Sequence, residues 1–274
     1  MPYVLTLRLA APLQSWGVRS RFSRRLTQPL PTKSAVIGML AAAAGVRRTD
    51  SLERFEGLRF GVRADQPGTL MRDFHTTHDD SGHPMPLSER YYLQDAVFLA
   101  ALEADDRERL ETIAQSLQSP YFPIFLGRRS CPPDGPIEAE VVEGTLEDVL
   151  STHAWTATAR HQDEYRHGRS SGRSRAGGLT VQIEPSAGAA DDAIEIVDDE
   201  PVSFDPRRRL WRGRRVTTLP IVDPLTLDGS TPVEETGSDD AASAVQHDPM
   251  SAVLDAADSA EAGTVHFENQ EDRR

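Results

Sequence analysis

Residues 3–10 read YVLTLRLA and residues 31–45 read PTKSAVIGMLAAAAG, and the passage from the first to the second decides the fold. In the first stretch apolar and polar side chains alternate, with β-branched and aromatic content, which is the period-2 pattern of a strand. In the second, Thr32 stands where an N-cap belongs and Gly45 where a helix stops. The small residues Ala35, Gly38 and Ala41 to Ala44 predict that this helix packs closely against a sheet. Outward from there, 58–65 (LRFGVRAD) reads as a second strand. An arm at 69–78 follows, then a tip at 79–88 rich in Asp, Pro and Gly, and a long returning strand at 91–103. Residues 105–120 (DDRERLETIAQSLQSP) open acidic and place Leu110, Ile113, Ala114 and Leu117 on one face, a helix that Pro120 ends. Residues 137–143 supply a further strand. Strand, helix, strand, strand, helix, strand predicts an α+β fold of the ferredoxin-like, RRM-like βαββαβ type.

Three segments are expected along the chain. Residues 1–150 form the ferredoxin-like domain, with a β-hairpin thumb at about 69–103. Residues 151–222 complete the fold with extra C-terminal strands, at 155–159, 179–184, 193–197 and 214–219, around an Arg- and Gly-rich loop at 161–178. From 223 to 274 Ser, Asp, Ala, Gly and Glu dominate, an acidic composition that predicts disorder.

The net charge of −13 at first argues against a nucleic-acid partner, but its distribution reverses the argument. Residues 221–274 hold 13 Asp and Glu against two Arg, leaving 30 acidic and 28 basic residues in the rest of the chain. Residues 1–49 contain no acid at all and carry Arg8, Arg19, Arg21, Arg24, Arg25, Lys33, Arg47 and Arg48. The field that matters is therefore that of a local basic face. The single cysteine, Cys131, excludes an internal disulfide and a Cys-based metal cluster. No apolar run approaches the ~20 residues of a membrane span, and no secretory signal opens the chain. A cytoplasmic protein without membrane partner, metal or cofactor is expected.

Five stretches carry candidate chemistry. LQSWGVRSRFSRR (13–25) interleaves Gln14, Trp16 and Phe22 with Arg19, Arg21, Arg24 and Arg25: arginines for phosphates, flat rings for unpaired bases. Trp16 suits either a stacking role or a plug in the core. TKS at 32–34 lacks the glycines of a phosphate loop, since Gln28-Pro29-Leu30-Pro31 precedes it. The helix start, with Lys33 and Ser34 in its first turn, still suits one phosphate. In RDFHTTHDD (72–80) an odd separation sends His75 and His78 to opposite faces of a strand, which disfavours a metal site. Arg72 and His75 are better read as phosphate or base contacts. FLGRRSCPP (125–133) sets Arg128 and Arg129 after a glycine. RRRLWRGRR (207–215) packs six arginines around Trp211, either as an electrostatic contact or as a solvated hairpin tip.

LRLAAPLQSWG, PTKSAVIGMLAAAAG, RDFHT, RYYLQDAVF, PIFLGRRSCPP and DEPVSFDPRRR, in this order, resemble the CasD family of CRISPR-associated proteins over roughly residues 3–220. The resemblance implies a RAMP-type subunit of the subtype I-E Cascade complex that binds the 5′ handle of crRNA through Gln14, Trp16, Lys33, Ser34, Arg72, His75, Arg128 and Arg129. It further implies a subunit that caps one end of the backbone-subunit filament, adjoins the large PAM-recognising subunit, and meets target DNA only through the complex. Because a separate subunit cuts the precursor in that subtype, no catalytic residue is expected here. A metal-independent endoribonuclease acting on CRISPR repeat RNA, as in a related subtype, is the alternative. The expected thumb tip (HDDSGHPMPLSE, 78–89) is short and non-basic, and the acidic 221–274 segment has no counterpart in the family pattern. Exchanging Lys33 and Arg72 for Glu is expected to release RNA while leaving the fold intact.

Overall fold

Leu5, Leu7 and Leu9 of strand β1 (Tyr3–Ala10) sit in one hydrophobic cluster while Val4 sits in another, so the strand is buried on both faces. That double burial sets the layering of the molecule. The computed structural model describes residues 1–17, 24–170, 178–186 and 194–227, all within one unit that runs Met1–Asp239. After β1 come β2 (Leu13–Gln14), β3 (Arg24–Arg25), helix α1 (Lys33–Ala43), β4 (Arg59–Gln66), β5 (Thr69–His75), β6 (Ser88–Gln94) and β7 (Val97–Ala104). The second half holds α2 (Arg107–Gln118), β8 (Glu138–Glu143), α3 (Leu146–Thr152), α4 (Ala159–Ser170), β9 (Thr180–Ile183), β10 (Glu195–Ser203) and β11 (Leu210–Thr218).

The structure is a mixed α+β fold dominated by sheet. Seven strands run in the order β10-β11-β9-β4-β7-β1-β8, and the central set β4-β7-β1-β8 is antiparallel throughout. One face, with Leu5, Leu7, Leu9, Phe60, Val62, Phe98 and Leu102, packs on α1 and α2 in the main core. The opposite face, with Val4, Leu99, Ala101, Val181 and Ile183, packs on Leu146, Val149 and Leu150 of α3. A second sheet is built on β6, which β2, β3 and β5 flank.

Helix α1 starts after Thr32 and stops at Gly45, whose φ of 75° only glycine adopts without strain. Helix α2 is capped by Asp106, which accepts from the Arg109 N–H, and buries Leu110, Ile113 and Leu117.

Three expectations are corrected. The predicted strand 91–103 is broken in two at Asp95, whose φ is 56°. The Gln66 and Gln14 side-chain amides take the carbonyls of Asp95 and Ala96, so β6 joins the hairpin sheet and β7 the main sheet. Apolar residues on both sides of the break hide it in the sequence. The loop expected from 161 gives way to α4 over Ala159–Ser170, where Arg160 and Glu164 form a 2.8 Å pair one turn apart, while residues 171–177 of that loop lie outside the described residues. The strand expected at 155–159 is irregular up to Thr158 and enters the helix at Ala159. Helix α3 was not anticipated, although Thr145 accepts from the Asp148 N–H at 3.1 Å in a capping pattern visible in TLED. The acidic segment lies, from residue 228 onward, outside the described residues.

Candidate nucleic-acid interface

The side of α1 that its sheet does not cover is a stripe of small side chains. Val36, Ile37, Met39, Leu40, Ala41 and Ala43 are buried, and Ala35, Gly38, Met39, Ala41 and Ala42 line the floor of a groove. The small residues thus leave room above the helix, besides packing Ala41 and Ala43 into the core beneath it. One wall is the loop 125–129. Gly127, at φ 91°, lies so close to Ser15 that an added Cβ would fall 1.7 Å from the Ser15 carbonyl oxygen, and the Ser15 N–H donates to the Leu126 carbonyl at 3.2 Å. The other wall comes from the β10–β11 ribbon, which delivers Phe204, Arg209 and Trp211.

Two adjoining cavities make up the groove. One, of about 610 Å³, is lined by Ser34, Arg25, Arg128, Arg209, Trp211 and Phe204, among others. The second, of about 740 Å³, shares Ala35, Gly127, Phe204 and Arg209 with the first and adds Arg47, Arg48, Arg129, Phe122 and Phe125. Neither is lined by an Asp or a Glu among the described residues. Among the described residues the side chains of Arg25, Arg47, Arg48, Arg129 and Arg209 make no ion pair. Arg128 is fixed: its guanidinium donates to the carbonyls of Tyr91 (3.1 Å), Arg25 (2.6 Å) and Leu26 (3.3 Å) and lies over the Tyr92 ring at 4.9 Å. Burial, and to a lesser degree the charge of Arg90, hold it below the ordinary arginine pKa. Guanidinium groups with free donors beside half-exposed aromatic faces suit the phosphates and bases of a single nucleic-acid strand.

Of the expected site residues, Arg25, Ser34, Arg128 and Arg129 come together here. Lys33 does not. It is 4% exposed, with Nζ 3.0 Å from Glu184 and 2.5 Å from Glu200, and its backbone N–H donates to Asp199 at 2.8 Å. A carboxylate already holds the helix start where a phosphate was expected, and Arg214 pairs with the same Asp199. Burial is the leading influence on Glu184 and pushes its carboxyl above the usual range, against the pull of Lys33 and Arg214. Gln14 and Trp16 are also buried: the Gln14 amide donates to Leu9 and Ala96, and its oxygen accepts from the Trp16 indole at 3.2 Å. Trp16 is the core plug. Arg24 and Arg72 both meet Glu89, at 3.1 and 3.8 Å, and His75 meets Asp73 at 2.9 Å; none of the three lines the groove. Arg19 and Arg21 lie outside the described residues.

Arg47 and Arg48 were visible only as charge, and Phe204 only as part of the DEPVSFDPRRR stretch that carries the resemblance. Arg209 and Trp211 belong to the basic run at 207–215, whose Arg214 is instead buried. An RRM reads RNA on the open face of its sheet. Here that face is closed by α3 and by Arg63, fully buried, which pairs with Asp65 and donates to the carbonyls of Leu150, His153 and Ala154 at 2.8–2.9 Å. The groove lies on the other side of the fold, over α1. Among the described residues no group of three or more His, Cys, Asp or Glu is placed to hold a metal ion, and no helix is long and apolar enough to cross a membrane.

Comparison with known proteins gives a consistent result. The family described as CRISPR-associated protein (Cas_Cas5) matches residues 4–217. The CRISPR system Cascade subunit CasD of Escherichia coli strain K12 is 34% identical over 153 residues, 48% of this chain and 68% of that protein. A chain of a solved CRISPR RNA-guided surveillance complex superposes with a TM-score of 0.62 at 30% identity, covering 82% of this chain and 92% of its own. A crystal structure of a Cas protein gives 0.58 at 34% identity, covering 81% and 99%.

Proposed function

The chain belongs to the Cas5 family of CRISPR-associated proteins, and we propose that it is a non-catalytic subunit of a type I-E Cascade surveillance complex, gripping the 5′ handle of crRNA and capping the backbone filament. The observation that carries this reading is the groove over α1, free of acids among the described residues, in which Arg25 and Arg128 at one end, Arg47, Arg48 and Arg129 at the other and Arg209 between them accompany Trp211 and Phe204. Such a surface neutralises phosphates along a strand and accepts bases against its rings without requiring a sequence. We read β1-α1-β4-β7-α2-β8 as a ferredoxin-like core, supported by the antiparallel order β4-β7-β1-β8 and by both helices packing in one cluster. The β5–β6 hairpin is then the thumb. The large PAM-recognising subunit and the backbone subunit are its protein neighbours, and target DNA is met through the assembled, cytoplasmic complex.

Cutting by a metal-independent mechanism needs a proton-transfer group beside the bound strand. Among the described residues no His, Lys, Tyr or Cys lines the groove. That favours holding over cleavage. The test is photo-crosslinking of a single-stranded CRISPR repeat RNA to the full chain. Crosslinks are expected on peptides containing Trp211, residues 125–129 and residues 46–48; crosslinks confined to α3 and α4 would overturn the assignment.

A further inference from the structure

Arg90 has no role in the groove as described, yet its surroundings are unusual. It lies on β6, in register with Arg25 of β3 in a parallel pair, and register partners project to the same side of a sheet. Tyr92, two residues on, shares that side, and the Arg128 guanidinium rests over its ring at 4.9 Å. Three guanidinium-bearing side chains therefore converge on one face at the base of the hairpin, where the groove begins. The neighbouring face of β6 is neutralised: there Glu89 takes Arg24 and Arg72. On the Arg90 face the cross-strand neighbour is Asp73, but its two oxygens are used by His75 at 2.9 Å and by the Phe74 N–H at 2.8 Å. Among the described residues the Arg90 Nε is buried without a hydrogen-bond partner.

A protein leaves a buried donor unsatisfied, and like charges together, at a cost in stability, and a ligand that supplies the missing anion removes that cost. We propose that Arg90, with Arg25 and Arg128, forms a phosphate-binding subsite that fixes a nucleic-acid strand where it enters the groove from the hairpin. The subsite rests on reading the groove as an RNA site. Arg25 and Arg90 supply donors to the phosphate, while Arg128, already committed to three carbonyls, supplies mainly charge.

The full chain, Arg90→Gln and Arg90→Lys are compared by thermal unfolding with inorganic pyrophosphate and by binding of single-stranded repeat RNA across a salt series. Without ligand, Arg90→Gln is expected to unfold at the same temperature as the parent or about 2 °C higher, since a repulsion is relieved. Pyrophosphate raises the unfolding temperature of the parent and not of Arg90→Gln, with partial recovery in Arg90→Lys. RNA affinity falls about tenfold in Arg90→Gln, and the log–log salt slope shrinks by about 0.7. A pyrophosphate response lost in Arg90→Gln, with RNA bound by neither protein, keeps the anion subsite and removes the RNA reading. Equal RNA binding and equal pyrophosphate shifts in parent and Arg90→Gln overturn the subsite while the RNA reading stands. A drop of several degrees in Arg90→Gln without ligand, with its salt slope unchanged, marks Arg90 as structural and also overturns the proposal.

Discussion

Replacing Lys33 with Met takes away the ammonium that sits 3.0 Å from Glu184 and 2.5 Å from Glu200, in a site where Lys33 is 4% exposed. Removing one partner of a buried ion cluster leaves the other charges uncompensated, and the expected loss is about 3 kcal/mol of folding stability. Urea unfolding measures it, and the salt slope of RNA binding in the folded protein stays unchanged. A stable Lys33→Met that loses salt-dependent binding would return Lys33 to the RNA. The sequence offered a lone lysine at a helix start, the right chemistry for a phosphate. It did not show that Asp199 and Glu200, more than 160 residues later, reach the same point, because that contact exists only once β10 lies beside α1. Arg63 gives the same lesson: a charged residue in a strand pattern becomes buried because Asp65 and three carbonyls of the α3 end satisfy it.

At the scale of elements, α4 is docked through Trp155, whose ring meets His161 edge-on at 6.0 Å and Tyr165 at 5.4 Å. Burial holds the His161 imidazole below its ordinary pKa of 6.5, with Glu164 opposing the shift. Below 6.5 the unfolded chain therefore binds a proton that the folded chain resists. The stability contributed is complete above that value and is lost as pH falls through the depressed pKa. Unfolding free energy from urea titrations is expected to fall between about pH 7 and pH 5, and the fall should be smaller in His161→Phe. An identical pH profile in the two proteins would separate α4 docking from His161 titration. Elements marked by periodicity were legible: β1, α1, β4 and α2 follow from alternation, caps and glycine stops. The elements that escaped were those whose signal is side-chain pairing. Helix α4 looks like a loop because Gly168 and its arginines outweigh the Arg160–Glu164 spacing, and the β6–β7 break depends on two distant glutamine amides.

For the whole molecule, a net charge of −13 and a groove proposed to bind a nucleic-acid strand are compatible because the charges are segregated. That segregation was legible, since the acid-free residues 1–49 contribute Arg25, Arg47 and Arg48 to the groove. Its completion was not, because Arg128, Arg129 and Arg209 reach it only through the order in which seven strands assemble. The charges that remain free after internal pairing, rather than the total, should set the response to salt. With roughly 4–8 phosphates engaged at ~−0.7 each, the affinity for single-stranded RNA should fall with a log–log slope of about −3 to −6. Exchanging Arg47, Arg48, Arg129 and Arg209 together for Ser should reduce the magnitude of that slope by about 3. Exchanging Arg107, Arg160 and Arg166, which pair with Glu111, Glu164 and Asp163 on exposed helices, should leave it in place. If both sets of exchanges weaken binding alike, the attraction is diffuse and the groove has no privileged part in it; if neither does, the strand is held by something other than these arginines.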